Sequence, residues 1–267
     1  MKYWREAATL ILAMRPLQKQ STIGAASALG SARLRDVEQR PSPTYKEDYQ
    51  ILMQKRSPSS SFMSSKSVFP GGVLQKVDHS KGWADLFAKI TSQSLDDFSN
   101  MFHTNNLRPP IISAQRPWDV VADVAFRICA IREMFEECGL LLVTRQVPKL
   151  PPKGAILTGC STWESSTVQD VGPGFLKMWR ENVHKNSTDF LRLCHELEAF
   201  PNVWALENWR NWLTPVFEKV ETASNKPNRF DTLFYMCCLD CEKLPLAAPD
   251  DKEVTNLEVI KSKLKSS

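Results

Sequence analysis

Between Pro117 and Gly139 the sequence holds no further proline or glycine, and its two ends read as a helix start and a left-handed helix stop. The spacing predicts a helix from about Trp118 to Cys138. At about 100° per residue, Val124, Ile128, Ile131, Phe135 and Cys138 fall on one face and mark a core stripe. Glu133, Glu136 and Glu137 fall opposite, where three glutamates are more often a solvated surface. Their neighbours on that face are Ala122, Phe126, Cys129 and Leu140, so the helix is apolar on both sides of its charges. Such a helix needs a core that covers it nearly all round.

The chain supplies one. Its 267 residues are 42% hydrophobic and 24% charged, which excludes a disordered polyelectrolyte and fits one large globular domain. Glu6 to Met14 and Tyr49 to Gln54 read as strands, separated by an Ala/Ser/Arg/Pro-rich stretch from Arg15 to Lys46. The apolar run from Ala7 to Met14 is far short of the ~20 residues of a membrane span, so neither a signal nor a span is expected. Trp83 to Phe102 reads as helix with a break at Ser92 to Ser94. Leu140 to Thr144, Val203 to Leu206 and Thr232 to Leu239 read as strands, and Gly174 to Glu198 as helical.

Net charge is only +4, so nucleic acid is not expected as a partner. Seven cysteines, an odd set partly inside apolar runs, predict a reducing compartment. Three carboxylates within one helical turn repel one another. If buried, they must rise in pKa or share a cation, and hard Mg²⁺ or Mn²⁺ with oxygen ligands answers that need. Phe69-Pro70-Gly71-Gly72 is a turn that lets backbone approach a ligand closely.

The nine residues from Arg132 to Leu140, Arg-Glu-Met-Phe-Glu-Glu-Cys-Gly-Leu, resemble the end of the nudix hydrolase signature, G-x5-E-x7-R-E-U-x-E-E-x-G-U with U aliphatic. Gly72 lies 60 positions before Arg132, against 14 in the signature, which implies an insertion of 46 residues. Counted back from Arg132, the first glutamate of the signature falls on Val124, with Asp123 beside it as a weak substitute. The split box, with Ile51 to Ser57, Trp212 to Pro215 and Arg229 to Thr232, is similar to a branch of peroxisomal acyl-coenzyme A diphosphatases.

This resemblance implies an α/β fold, a nudix-type α/β/α sandwich with a mixed sheet and a helical insertion inside the box. Residues 1–242 would form a single domain with the insertion at about 73–117, and residues 243–267 a polar, flexible tail. It implies metal-dependent hydrolysis of the diphosphate linkage of coenzyme A or acyl-coenzyme A to adenosine 3′,5′-bisphosphate and (acyl-)4′-phosphopantetheine, by a monomer. Glu133, Glu136 and Glu137 would hold Mg²⁺ or Mn²⁺, Arg132 would orient Glu133, Gly71 and Gly72 would admit the diphosphate, and Arg56 would clamp it. Members of the branch end in a peroxisomal tripeptide. Ser262-Lys263-Leu264 is internal, so a cytosolic setting is the other expectation.

Two further readings stand beside this one: a catalytically impaired nucleotide-binding module, and a nudix hydrolase of another nucleoside diphosphate derivative. Glu164, Glu207 and Glu218 are candidate general bases, though ordinary exposure is the commoner role. Cys238 and Cys241 have thiol-pair spacing without a second pair, a poor zinc site. His79, His103, His184 and His195 read as surface or helix-face residues. Trp204, Trp209 and Trp212 read as core aromatics, with stacking on an adenine as the alternative.

Overall fold

The computed structural model describes residues 4–15, 49–56, 58, 65–95, 110–145, 171–215, 229–240 and 257–262. Its organising strand is β1 (Arg5–Arg15), which alternates so that Ala8, Leu10 and Leu12 join the main core. β2 (Tyr49–Lys55) and β4 (Gly71–Val73) share one edge of β1, both antiparallel: β2 pairs at Ala13 and Met14, β4 at Ala7 to Thr9. Between them in sequence, β3 (Ser67–Val68) pairs with the end of β2.

A turn of 3₁₀ helix, Lys76–His79, with Val77 and Asp78 buried, leads into α1 (Lys81–Thr91), which ends at Ser92 with φ 57°, within the break the sequence predicts. The one-turn helix α2 (Pro110–Ser113) precedes α3 (Ala122–Cys138), closed by Gly139 at φ 72°. The segment expected as an insertion is not an appendage. Trp83, Leu86, Phe87, Ile111 and Ile112 are all buried in the main core, and the Trp83 indole donates to the Val77 carbonyl at 2.7 Å. Removing a side chain such as Trp83 would cost about 3–5 kcal/mol.

The predicted strand at Leu140 to Thr144 is shorter: only β5 (Val143–Thr144) pairs, with β6 (Phe200–Pro201). The helical region expected over Gly174 to Glu198 is formed by two helices, α4 (Pro173–Lys185) and α5 (Thr188–Glu196), because Asn186 leaves helical geometry at φ −149°. Val203–Ala205 is a 3₁₀ turn rather than a strand. The strand follows it as β7 (Glu207–Leu213), whose alternation is disturbed by a bulge at Trp209, between Asn208 and Arg210.

β8 (Phe230–Asp240) runs parallel to β1 along its whole length and antiparallel to β7. β9 (Leu257–Ser262) pairs with β2 across Tyr49 to Gln54, a strand where the sequence reading has a flexible tail. The result is a seven-stranded mixed sheet with path β3-β2-β1-β8-β7, carrying α3 on the face of Ala8, Leu10 and Leu12. This is the α/β architecture the sequence implies. Among the described residues no helix is long and apolar enough to cross a membrane.

Candidate active site

Every residue of α3 from Ala122 to Phe135 is buried, so each charge on that stretch must find its partner inside the protein. Asp123 and Arg127 do so with each other: the Arg127 Nε donates to Asp123 at 3.1 Å and its Nη1 to the Val203 carbonyl at 3.0 Å. The Tyr235 hydroxyl also donates to Asp123, at 3.1 Å. Asp123 is therefore committed to a structural cluster and does not stand in for an acid of the signature.

That acid is Asp78. Counted forward from Gly72 it falls on the sixth position, as the signature's first acid does, so the spacing before it is intact. Asp78 is fully buried and accepts from Arg132 twice, Nε at 2.8 Å and Nη2 at 2.9 Å. That spacing is visible in the sequence when the count starts from Gly72 and is lost when it starts from Arg132.

Arg132 is the hub. Besides Asp78 it donates to Glu133 Oε1 at 2.8 Å, Glu136 Oε2 at 3.3 Å and the Val73 carbonyl at 3.3 Å. Burial lowers its pKa, but the charge and hydrogen bonds of Asp78, with Cys129 and Glu133, together raise it, so the guanidinium is firmly charged. Glu133 is pushed up to about 7, chiefly by burial, with Arg132 opposing and Glu136 and Glu137 adding repulsion. Burial likewise raises Glu137, against the Gln54 side chain, the Gly71 N–H and the charge of Arg56.

The glycines meet these carboxylates directly. The Gly71 N–H donates to Glu137 Oε2 at 2.8 Å. A Cβ on Gly72 would lie 2.5 Å from the Glu133 carboxyl carbon and from both its oxygens. The backbone of β4 thus presses against the acidic end of α3 where any other residue would intrude. Glu136 is held from the other side, its Oε1 3.1 Å from His184 Nδ1 on α4. One turn earlier, Arg180 donates to the carbonyls of Glu136 at 2.9 Å and Glu137 at 2.7 Å, satisfying groups the helix end leaves open.

Arg132, Glu133, Glu136, Glu137, Gly71, Gly72 and Arg56 are therefore gathered at one place, with Asp78, Gln54 and Arg180 added. Four carboxylates, Asp78, Glu133, Glu136 and Glu137, face the guanidinium groups of Arg132 and Arg56, while Arg180 engages the carbonyls of Glu136 and Glu137. The donor chemistry, desolvated carboxylate oxygen in excess, fits a hard divalent cation. Among the described residues no three acidic, histidine or cysteine groups form a ready-made ligand cluster, so the carboxylates do not stand as a closed shell.

Other sequence candidates fall elsewhere. Glu164, Glu218, His103 and Cys241 lie outside the described residues. Glu207 is exposed on β7, His195 is exposed on α5, and His79 stacks on Trp118 with centroids 4.6 Å apart. Cys237 is buried on β8 and Cys238 half-buried. Trp204 is a core aromatic as expected, whereas Trp209 and Trp212 are 45% and 55% exposed.

A buried arginine bound to two halves of an interrupted acidic motif, with glycine backbone against its glutamates, defines a nudix-type centre. Over residues 4–263 the chain matches the family described as NUDT19 Nudix domain, and it belongs to that family. It is 34% identical over 97% of its length to the acyl-coenzyme A diphosphatase NUDT19 of Xenopus laevis, and 33% identical over 96% to that of Homo sapiens. It spans 62% and 60% of the length of these two relatives. A solved nudix hydrolase from Alicyclobacillus acidocaldarius aligns with 89% of this chain and 70% of its own at 18% identity, with a TM-score of 0.44.

Proposed function

We propose that this chain hydrolyses the diphosphate linkage of coenzyme A or its acyl esters, with Glu133, Glu136 and Glu137 holding Mg²⁺ or Mn²⁺. The observation that carries the proposal is the Glu133 carboxylate filling the space a side chain at Gly72 would need, at a buried site rich in carboxylate. The names of the curated relatives supply the substrate class.

A diphosphate is anionic at both phosphoryl groups and repels nucleophiles. A bound divalent cation would neutralise its oxygens and lower the pKa of a nearby water. The chain's own residues set the stage for that. Asp78 fixes Arg132, which orients Glu133 and Glu136, while the Gly71 N–H and Gln54 orient Glu137. Arg56, whose charge already acts on Glu137, supplies positive potential for the phosphoryl oxygens.

One water is consumed. Its oxygen bonds to one phosphorus, the bridging P–O bond breaks, and the bridging oxygen leaves on the other phosphate. The products are adenosine 3′,5′-bisphosphate and (acyl-)4′-phosphopantetheine. We also place the interruption of the signature after Asp78, so that the box keeps its first half intact.

Chromatography of the products formed from coenzyme A with Mg²⁺ or Mn²⁺, beside a chelator control, tests this reading. Adenosine 3′,5′-bisphosphate released only with metal supports it. A folded chain that releases none from coenzyme A or acyl-coenzyme A refutes it.

A further inference from the structure

The acidic helix ends without a cation of its own. The last turn of α3 carries Glu136 and Glu137 and no basic residue, although the partial negative charge of a helix C-terminus makes it the end where carboxylates are least stable. The Gly139 N–H still reaches the Phe135 carbonyl, at 2.8 Å. The next two carbonyls, of Glu136 and Glu137, have no donor within the helix and depend on a residue from outside it.

That residue is Arg180 of α4, whose Nε donates to the Glu136 carbonyl at 2.9 Å and whose Nη2 donates to the Glu137 carbonyl at 2.7 Å. A planar fork on two successive carbonyls fixes both peptide planes, as a single donor does not. The arginine stem lies against the helix stop: a Cβ on Gly139 would stand 3.5 Å from Arg180 Cδ. Leu176, Arg180 and Val183 follow at steps of four and three, so one face of α4 holds two core anchors, 2% and 1% exposed, with the arginine between them. One turn beyond, His184 brings Nδ1 within 3.1 Å of Glu136 Oε1.

Arg180 spends these two donors on main-chain oxygen. Arg132, by contrast, takes carboxylate oxygens of Glu133 and Glu136. Arg180 therefore fixes the backbone from which Glu136 and Glu137 project and leaves their carboxylate oxygens open to a metal ion.

We propose that Arg180 is a positioning residue for metal binding: by fixing the last turn of α3 it sets the directions from which Glu136 and Glu137 meet the divalent cation. This rests on the reading of those glutamates as metal holders, and it adds a helix outside the acidic motif to the site.

The sign of the effect separates positioning from simple charge. A cation beside a metal site repels the incoming ion, so by charge alone the removal of Arg180 tightens metal binding. Positioning acts the other way, because glutamates on a loosened turn must be ordered by the metal itself.

The test is calorimetric titration of the full chain with Mn²⁺, beside thermal melts in chelator. Arg180→Met keeps a stem over Gly139 but removes the charge and both donors, and it weakens Mn²⁺ binding by roughly tenfold. Arg180→Lys, milder for the fold, keeps the charge without the fork and falls between that variant and the wild type. Val183→Ala loosens the same face of α4 and keeps the guanidinium, so it lowers the melting temperature and leaves Mn²⁺ affinity unchanged. Wild-type or tighter Mn²⁺ binding in the folded Arg180 variants overturns the proposal. A loss in Val183→Ala as large as that in Arg180→Met overturns it too, since the role would then be packing alone.

Coenzyme A turnover in the same proteins separates this proposal from the diphosphatase reading. In Arg180→Met the Mn²⁺ concentration for half-maximal rate rises by roughly tenfold, while KM for coenzyme A at saturating metal is unchanged, because Arg180 acts through the glutamates. Turnover whose Mn²⁺ requirement is indifferent to Arg180 removes the positioning role and leaves the diphosphatase. Arg180-dependent Mn²⁺ binding without turnover removes the diphosphatase and leaves the positioning role. A folded wild-type chain that binds no Mn²⁺ removes both.

Discussion

Asp78 and Arg132, 54 positions apart, form a doubly hydrogen-bonded pair that is almost wholly sealed from solvent, with side chains 0% and 1% exposed. The pair joins the two halves of the acidic motif across all the intervening chain. Replacing Asp78 by Asn leaves a buried guanidinium short of a counter-charge. The expected loss is about 3–5 kcal/mol of folding stability, read from urea midpoints, together with a fall in turnover because Glu133 and Glu136 lose their fixed donor. An unchanged midpoint would mean that Glu133 and Glu136 alone suffice to balance Arg132.

The two glycines should respond differently to alanine. At Gly72 the new Cβ meets only the far end of the Glu133 side chain, which can swing aside, so the fold survives while the carboxylate is displaced. At Gly71 it meets the Ala8 carbonyl and the Thr9 Cα, at 2.6 and 2.7 Å, where backbone must shift. Gly72→Ala should therefore lose metal-dependent turnover with little change in melting temperature. Gly71→Ala should lower the melting temperature itself. Thermal melts beside initial rates distinguish the two, and equal melting temperatures would contradict the geometry.

Much of this was legible before any coordinates. The nine residues from Arg132 to Leu140 announced the acidic helix, and Gly139 its end, because both depend on local chemistry. Asp78 was hidden by an interruption that falls after it. The exposed tryptophans were hidden for a different reason. Trp209 and Trp212 three apart do not fit a strand's period of two, and only the bulge opposite Phe234 reconciles them. The buried state of α3 was half legible: apolar neighbours on both faces implied it, but the partners of Arg127 come from Val203 and Tyr235, far along the chain. His184 and Arg180 carried no signal at all, since their role exists only once α4 packs on the end of α3.

Glutamine at the acidic positions separates chemistry from folding. Glu133→Gln and Glu137→Gln keep the volume of the side chain and remove its charge, and each should reduce metal-dependent turnover by roughly 100-fold or more. Stability should not follow activity. With a chelator present at pH 8, Glu133 is ionised in a place that holds its carboxyl up at about 7, so removing the charge relieves the fold. Glu133→Gln should then be more stable than the wild type by on the order of 1–3 kcal/mol, read from urea midpoints. Turnover that survives in both variants would remove these residues from the metal site.

Tyr235 offers a prediction away from the chemistry. Its hydroxyl is buried and donates to Asp123, and burial together with the Asp123 charge pushes its pKa well above the ordinary value, with Arg127 opposing. Tyr235→Phe keeps the ring under Arg127, whose guanidinium carbon lies 4.9 Å from the ring centroid, and deletes only the donor. At pH 8 the variant should be less stable by roughly 1.5–3 kcal/mol, the worth of a hydrogen bond to a charged group. The gap should then narrow with alkali. A phenol whose folded pKa exceeds its unfolded value near 10 holds its proton more tightly when folded. Its contribution is therefore complete below about pH 10 and is lost as pH rises beyond it, when the unfolded chain ionises first. Urea unfolding of both proteins between pH 8 and pH 11 measures this. A gap that stays constant through that range would mean that Tyr235 is free to ionise in place, and that Asp123 relies on Arg127 alone.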